Sequence, residues 1–189
     1  STGTSSISKM TPTFTWANVS KSYGETFTIT SPTPSTPGTF TYSSGSTSVV
    51  TINGSTATVV GRGTSRITAT FTPDDAANFS TAGTSAMTIT AGTAAITVTP
   101  TLGQSIAYGA NNPTIDYTIT SGSLVGSDVL SGALTFTGSN VGTYPITIGT
   151  LENSNYIITL ATVNLAITQA TQNAVSLSSL SSAYNSSNK

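Results

Sequence analysis

Cysteine and histidine are both absent from this sequence of 189 residues, and charged side chains make up only 6% of it. Without histidine, the chain lacks the side chain that most often acts as a general base near neutral pH. Without cysteine, it has no thiolate nucleophile, no thiolate zinc ligand and no disulfide. These absences exclude most hydrolase triads and leave the fold to be held by its core alone.

Charge of either sign is scarce, since five lysines and arginines stand against six acids and give a net charge of −1. Proteins that bind a phosphate backbone need a cluster of cations to displace its counterions. No such cluster is present, and no apolar run approaches the length of a membrane span. The sequence therefore predicts no nucleic-acid partner and no membrane span in this segment.

Serine and threonine are what the chain has in abundance, because together they account for 70 of its residues. Hydroxyls must then cover the surface in place of ions. Apolar residues still make up 36% of the chain, and they alternate with threonine, which puts them on one face of a pleated strand. The alternation is clearest at three apolar pairs: Phe14 and Trp16, Phe27 and Ile29, and Phe40 and Tyr42.

Turn signals separate these strands at short intervals. Residues 31–38 are too rich in proline to form a ladder, and Asn53-Gly54 indicates a tight hairpin between residues 49–52 and 56–60. The next strand should point Ile67, Ala69 and Phe71 inward. About seven half-buried antiparallel strands result, which is the count expected of an immunoglobulin-like β-sandwich.

The same landmarks return in the second half of the chain, so the sequence is a repeat of whole β-modules. The second-half strands are expected at residues 96–98, 115–119, 134–136, 144–148, 156–160 and 163–167. Three landmark pairs recur in one order: Tyr23-Gly24 with Tyr108-Gly109, Asn78-Phe79 with Asn155-Tyr156, and Met87-Thr88-Ile89-Thr90 with Leu165-Ala166-Ile167-Thr168.

We therefore predict an all-β chain of tandem immunoglobulin-like β-sandwich modules joined end to end. Residues 1–11 are a linker or the end of a preceding module, and residues 12–91 and 92–170 are the two modules. Residues 171–189 echo the first strands of the second module, so they are the truncated start of a further module or a disordered tail.

Two families share these motifs. Residues 46–69 resemble the later part of a bacterial Ig-like domain of group 2. Residues 107–109, 117–124, 130–134, 141–146 and 155–156 resemble the YGX-type MBG module. The resemblance implies a repeat segment of a large bacterial surface adhesin, with neighbouring modules of the same chain as its first partners. Its motifs set turns and core, so they imply no ligand site.

The few acids are the remaining candidates for chemistry: Asp74, Asp75, Asp116, Asp128 and Glu152. A carboxylate pair could act as in a glycosidase. These acids are spread over the turns of two modules, however, so we expect no enzyme activity and no catalytic or metal-binding residues. Calcium at Asp74-Asp75 is possible, because hard cations favour oxygen ligands.

Lys21 and Trp16 are two further residues with a candidate functional role. Lys21, near Glu25, could form an isopeptide bond with an asparagine, although a solvated strand-end charge is the simpler interpretation. Trp16 could stack on a sugar, but it alternates with Phe14 on what should be the buried face, which favours a core role.

The leading functional hypothesis is a structural stalk or spacer in a bacterial cell-surface or secreted adhesin-like repeat protein, located outside the cell. The alternative is a module that binds glycan or a host protein through its loops at residues 31–38 or 121–128. A segment of a phage or appendage fibre is a further alternative, since such a segment would share the fold.

Overall fold

The structure, a computed structural model, describes residues 8–80 and 82–171, without the side chains of residues 82–84. Within these residues the chain forms strands and loops only, which confirms the all-β prediction. No helix that could cross a membrane occurs in the described ranges. The predicted start of a third module falls almost entirely outside them.

The N-terminal half, residues 8–92, contains two sheets, one of four strands in the order β1-β7-β6-β3 and one of three in the order β2-β5-β4. Its strands are β1 (Val19–Ser22), β2 (Thr26–Thr28), β3 (Gly38–Ser44), β4 (Val50–Asn53), β5 (Thr56–Val59), β6 (Gly63–Pro73) and β7 (Ala82–Gly92). The hairpin predicted at Asn53-Gly54 is confirmed, with Asn53 paired to Thr56.

The C-terminal half, residues 94–171, also contains a sheet of four strands, β11-β12-β14-β9, and one of three, β10-β8-β13. Its strands are β8 (Ala94–Pro100), β9 (Ser105–Ala107), β10 (Tyr117–Ser121), β11 (Thr135–Phe136), β12 (Gly142–Thr147), β13 (Tyr156–Leu160) and β14 (Asn164–Thr168). Each strand predicted for this half is present, with bounds shifted by a few residues at most.

The two four-stranded sheets have the same pairing pattern. An edge strand, β1 or β9, pairs in parallel with the last strand of its half, and that strand pairs antiparallel with β6 or β12. The sequence predicted neither edge strand and expected antiparallel neighbours. The three-stranded sheets differ, because β8 pairs in parallel with β13 whereas β2, β4 and β5 are antiparallel throughout.

The parallel pairs also correct one repeat landmark. Ser22 pairs with Gly92 and Ala107 pairs with Thr168, so Gly92 corresponds to Thr168. Aligning residues 87–90 with residues 165–168 was therefore wrong by two residues. A shift of two leaves every side chain on its original face of the strand, so the apolar pattern alone could not reveal it.

Each half has its own buried cluster. Ile67, Ala69 and Phe71 are fully buried, as predicted, and Ile67 belongs to the cluster of the N-terminal half. The cluster of the C-terminal half is built around residues such as Val98 and Leu165. Tyr23, from the N-terminal half, is buried in this second cluster.

The first residues of the described chain differ from prediction. Residues 11–18 form no strand. The ring of Phe14 nevertheless packs edge-on against the ring of Phe40, with the ring centroids 5.0 Å apart. Trp16 is half-buried and its Nε1 donates to Thr30 O at 2.9 Å. Met10, assigned by the sequence to the linker, already forms a parallel bridge with Phe79.

Candidate functional site

The five acids considered for chemistry lie in four separate connections between strands, with Asp74 and Asp75 adjacent in one of them. Within residues 8–80 and 82–171 no group of three or more acids, histidines or cysteines could hold a metal ion. The carboxylate of Asp75 closes its own turn by accepting from the N–H groups of Ala77 and Asn78, both at 3.1 Å, and from Asn78 Nδ2 at 2.8 Å. These hydrogen bonds, above all those from Asn78, lower the pKa of Asp75. Calcium at this turn stays a prediction.

Lys21 and Glu25 organise the turn that follows β1. Lys21 Nζ lies 2.5 Å from Glu25 Oε1, and Ser22 N–H donates to Glu25 Oε2 at 3.1 Å. The hydrogen bond from Lys21 is the largest cause of the lowered pKa of Glu25. The Lys21 ammonium also sits 4.6 Å from the centre of the Phe27 ring. The structure thus joins Lys21 to a carboxylate, and the isopeptide hypothesis stays untested.

Asp128 is the acid with the most unusual surroundings. Its Oδ2 accepts a hydrogen bond from Tyr156 Oη at 2.7 Å and a second from Tyr23 Oη at 2.9 Å. Tyr156 Oη in turn accepts from Val125 N–H at 2.7 Å. Tyr23 belongs to the N-terminal half, whereas the other three residues belong to the C-terminal half. We call these four residues, Tyr23, Val125, Asp128 and Tyr156, the tyrosine–aspartate junction.

Aromatic packing accompanies these hydrogen bonds. The Tyr23 and Tyr156 rings meet edge to face, with centroids 5.7 Å apart and an interplanar angle of 88°. Such pairs contribute about 0.5–1.5 kcal/mol beyond the area they bury. Tyr23 is only 9% exposed and Tyr156 only 6%. The junction is thus a partly buried polar contact between the halves, in which both tyrosine hydroxyls are paired.

Gly24 lets the two halves approach this closely. Its φ is +80°, and a Cβ at this position would lie 2.4 Å from Cγ2 of Val125. The turn is held in place because Gly24 N–H donates to Val59 O at 3.0 Å and Glu25 N–H to Ser22 O at 3.1 Å. Glycine is therefore required here both by the left-handed backbone and by the neighbouring half.

Arg62 adds a contact at the edge of the junction. Its Nη1 donates to Ser154 O at 2.6 Å, across the same boundary between the halves. The residue precedes Gly63, which begins β6. The structure thus assigns Arg62 to a contact between the halves.

The arrangement can fix the geometry of the two halves through protonated hydroxyl donors. Burial is the largest cause of a rise in the pKa of Tyr156 to about 12, and the hydrogen bond to Asp128 adds to it. The pKa of Tyr23 is raised for the same two reasons. Both hydroxyls therefore stay protonated as donors near neutral pH. The repeat landmark Tyr23-Gly24 was the sequence signal for this site, although its partner Asp128 was considered only as a catalytic acid.

The contribution of Gly24 to the junction can be separated from its backbone strain. Gly109 has φ +79°, and a Cβ there would meet nothing within 4 Å. Both Gly24→Ala and Gly109→Ala should cost on the order of 1–3 kcal/mol for the left-handed backbone. Only Gly24→Ala should also part the halves, which small-angle scattering would detect as a broader distribution of dimensions. Identical scattering from the two variants would contradict a junction at Gly24.

The junction also predicts a dependence of stability on alkaline pH. Because the folded pKa of Tyr156 is raised above the unfolded value near 10, its contribution is complete below pH 10 and is lost as pH rises to about 12. Urea unfolding midpoints measured over this range should fall for the unmodified chain. The fall should be shallower for Tyr156→Phe, and an equally steep fall in that variant would refute the assignment.

Comparison with known proteins identifies a related family for the C-terminal half. A search of curated proteins finds no match to the chain. Residues 96–166, however, match the family model of the MBG domain, YGX type. The match includes the Tyr108-Gly109 turn as well as Val125, Asp128 and Tyr156. The predicted resemblance to an MBG module is thereby confirmed for residues 96–166, which match the model of the YGX-type MBG domain.

Proposed function

We propose that the chain is a structural spacer in a bacterial cell-surface or secreted adhesin-like repeat protein. In this proposal its halves are tandem immunoglobulin-like β-sandwich modules joined end to end, and they work outside the cell without enzymatic activity. The observation that carries the proposal is the tyrosine–aspartate junction, through which Tyr23 of the N-terminal half packs into the buried cluster of the C-terminal half, while the N-terminal half keeps a cluster of its own. The MBG match supports it, because that domain is a repeat module of surface proteins.

The organisation of the sheets supports a repeat of similar modules. Each half has a four-stranded sheet and a three-stranded sheet, and no strand pairing among the described residues joins one half to the other. A chain built in this way gains length with each module while every core stays small. Contacts between neighbours then decide how stiff the array is.

The surface composition suits an extended segment. Threonine side chains line the outer faces, as in the pairs Thr26 with Thr58 and Thr99 with Thr120, whose hydroxyls lie 3.1 Å and 2.8 Å apart. One ion pair, between Lys21 and Glu25, occurs in the described ranges. Because charged residues make up only 6% of the chain, long-range charge repulsion contributes little to the shape of the molecule.

The alternative, recognition of glycan or a host protein through loops, is less well supported for residues 121–128. Val125, near the centre of this loop, and Asp128, its last residue, are engaged in the tyrosine–aspartate junction. The loop at residues 31–38 shows no comparable convergence of polar groups, so the spacer remains the function we propose.

The spacer proposal predicts dimensions that do not respond to salt. Raising the ionic strength from about 0.01 M to about 1 M shortens the Debye length from about 30 Å to about 3 Å. The maximum dimension from small-angle scattering should be the same at both ends of this range. A contraction or an expansion with salt would contradict a stiffness based on buried contacts.

A binding assay separates the spacer from the ligand-binding alternative. The immobilised chain is exposed to a glycan array and to host cells, alongside a matched variant in which Ser35 and Thr36 of the 31–38 loop are replaced by alanine. We expect no saturable binding by either chain. Saturable binding that is lost in the loop variant would favour the ligand-binding module.

A further inference from the structure

The turn after β9 repeats the backbone of the turn that enters the tyrosine–aspartate junction. Tyr108 N–H donates to Thr168 O at 2.8 Å, as Tyr23 N–H donates to Gly92 O at 3.0 Å. Gly109 has φ +79° and Gly24 has φ +80°. In both turns the next residue donates its N–H back to the residue before the tyrosine, at 3.0 Å and 3.1 Å. The two tyrosines therefore leave equivalent strands at equivalent positions.

The surroundings of the two turns are different. Tyr23 is 9% exposed because the C-terminal half covers it, whereas Tyr108 is 53% exposed. A Cβ on Gly24 would collide with Val125, whereas a Cβ on Gly109 would meet nothing within 4 Å. The Tyr108-Gly109 turn thus has the same backbone as the Tyr23-Gly24 turn, but no neighbouring half packs on it.

An open groove surrounds the exposed tyrosine. It is lined by Tyr108, Val141, Gln169 and Ala170. Val141 precedes Gly142 at the start of β12, as Arg62 precedes Gly63 at the start of β6, and Gly142 and Gly63 pair with equivalent residues of β14 and β7. Val141, which is 52% exposed, therefore stands where Arg62 contacts the next half.

We propose that the Tyr108-Gly109 turn docks a further module of the same type as residues 94–170. Tyr108 Oη would donate to that module's counterpart of Asp128, and its ring would pack edge-on against the counterpart of Tyr156. The counterpart of Val125 would fill the space beside Gly109. This inference rests on the proposed function and names the partner of one surface in the array.

A difference between the two halves indicates which type of module would dock on the Tyr108-Gly109 turn. Met10 N–H donates to Asn78 O as Ala94 N–H donates to Asn155 O, both at 2.9 Å, so Phe79 of the N-terminal half corresponds to Tyr156. Phenylalanine has no hydroxyl to place on an aspartate. A module like residues 94–170 supplies the full set of contacts, whereas one like residues 8–92 lacks the Tyr156 hydroxyl.

An extended chain tests the proposal directly. Because Gly92 corresponds to Thr168, Ala94 corresponds to Ala170, and joining residues 1–169 to an added copy of residues 94–170 keeps the native spacing. In the existing junction the Cβ positions of residues 24 and 125 are 3.6 Å apart, within the range of about 3.5–4.5 Å for a disulfide. The chain has no cysteine of its own, so introduced pairs can be read without background.

Three cysteine pairs are compared in this extended chain by intact mass, which reports the loss of two hydrogens. Gly24→Cys with Val125→Cys in the first copy is the positive control. Leu102→Cys with Val125→Cys in the added copy is the negative control, since Leu102 is exposed at a different turn. We expect Gly109→Cys with Val125→Cys in the added copy to form a disulfide as completely as the positive control.

Substitution of the tyrosine tests whether docking depends on it. Tyr108→Ala should slow formation of the disulfide between positions 109 and 125 of the added copy about tenfold, whereas Leu102→Ala should leave it unchanged. The proposal is overturned if the positive control forms and the test pair does not, or if Tyr108→Ala has no effect. Either of these results would overturn the docking proposal and leave the spacer function standing. Saturable ligand binding in the assay above would instead overturn the spacer function and leave the docking proposal standing.

Discussion

The relation between the two halves depends on one carboxylate. Asp128 Oδ2 accepts from a tyrosine of its own half and from a tyrosine of the other half, at 2.7 Å and 2.9 Å. Hydrogen bonds to a charged acceptor contribute about 1.5–3 kcal/mol each, several times the worth of an exposed ion pair. If Asp128 were lost, two buried hydroxyls would lose their acceptor. The contact is therefore strong only when both tyrosines and the acid are in place.

The chain has few charges, and four of them lie at or beside this boundary. Asp128 joins the tyrosines, Arg62 reaches Ser154 O, and the Lys21–Glu25 pair holds the turn that presents Tyr23. Elsewhere threonine and serine cover the sheets. Lys21, Glu25 and Asp128 are half-buried, and half-buried charges with fixed partners are screened by salt much less than exposed ones. The distribution of charge thus favours a defined arrangement of neighbours over a general electrostatic field.

Periodicity predicted most of the strands, because alternation of apolar residues with threonine matches the two-residue period of a half-buried strand. It failed at residues 11–18, where Phe14 and Trp16 alternate with threonine but form no strand. The hairpin at Asn53-Gly54 was predicted from a different signal, the preference of Asn-Gly for tight hairpin turns. The parallel edge strands β1 and β9 were missed, since they are short and their pairing partners lie about 60 to 70 residues away. The site was missed for a related reason. Tyr23 and Asp128 are 105 residues apart, and nothing local to either residue indicates that their side chains meet.

Backbone residual dipolar couplings test the central claim, that the tyrosine–aspartate junction makes the two halves one rigid unit. Couplings from residues 19–80 and from residues 94–168 would be measured in one aligned sample of the unmodified chain and fitted separately. We expect the two fits to give one alignment tensor, with the same magnitude and the same orientation in the frame of the structure. Tensors that differ in magnitude would show that the halves move independently, and they would contradict the account.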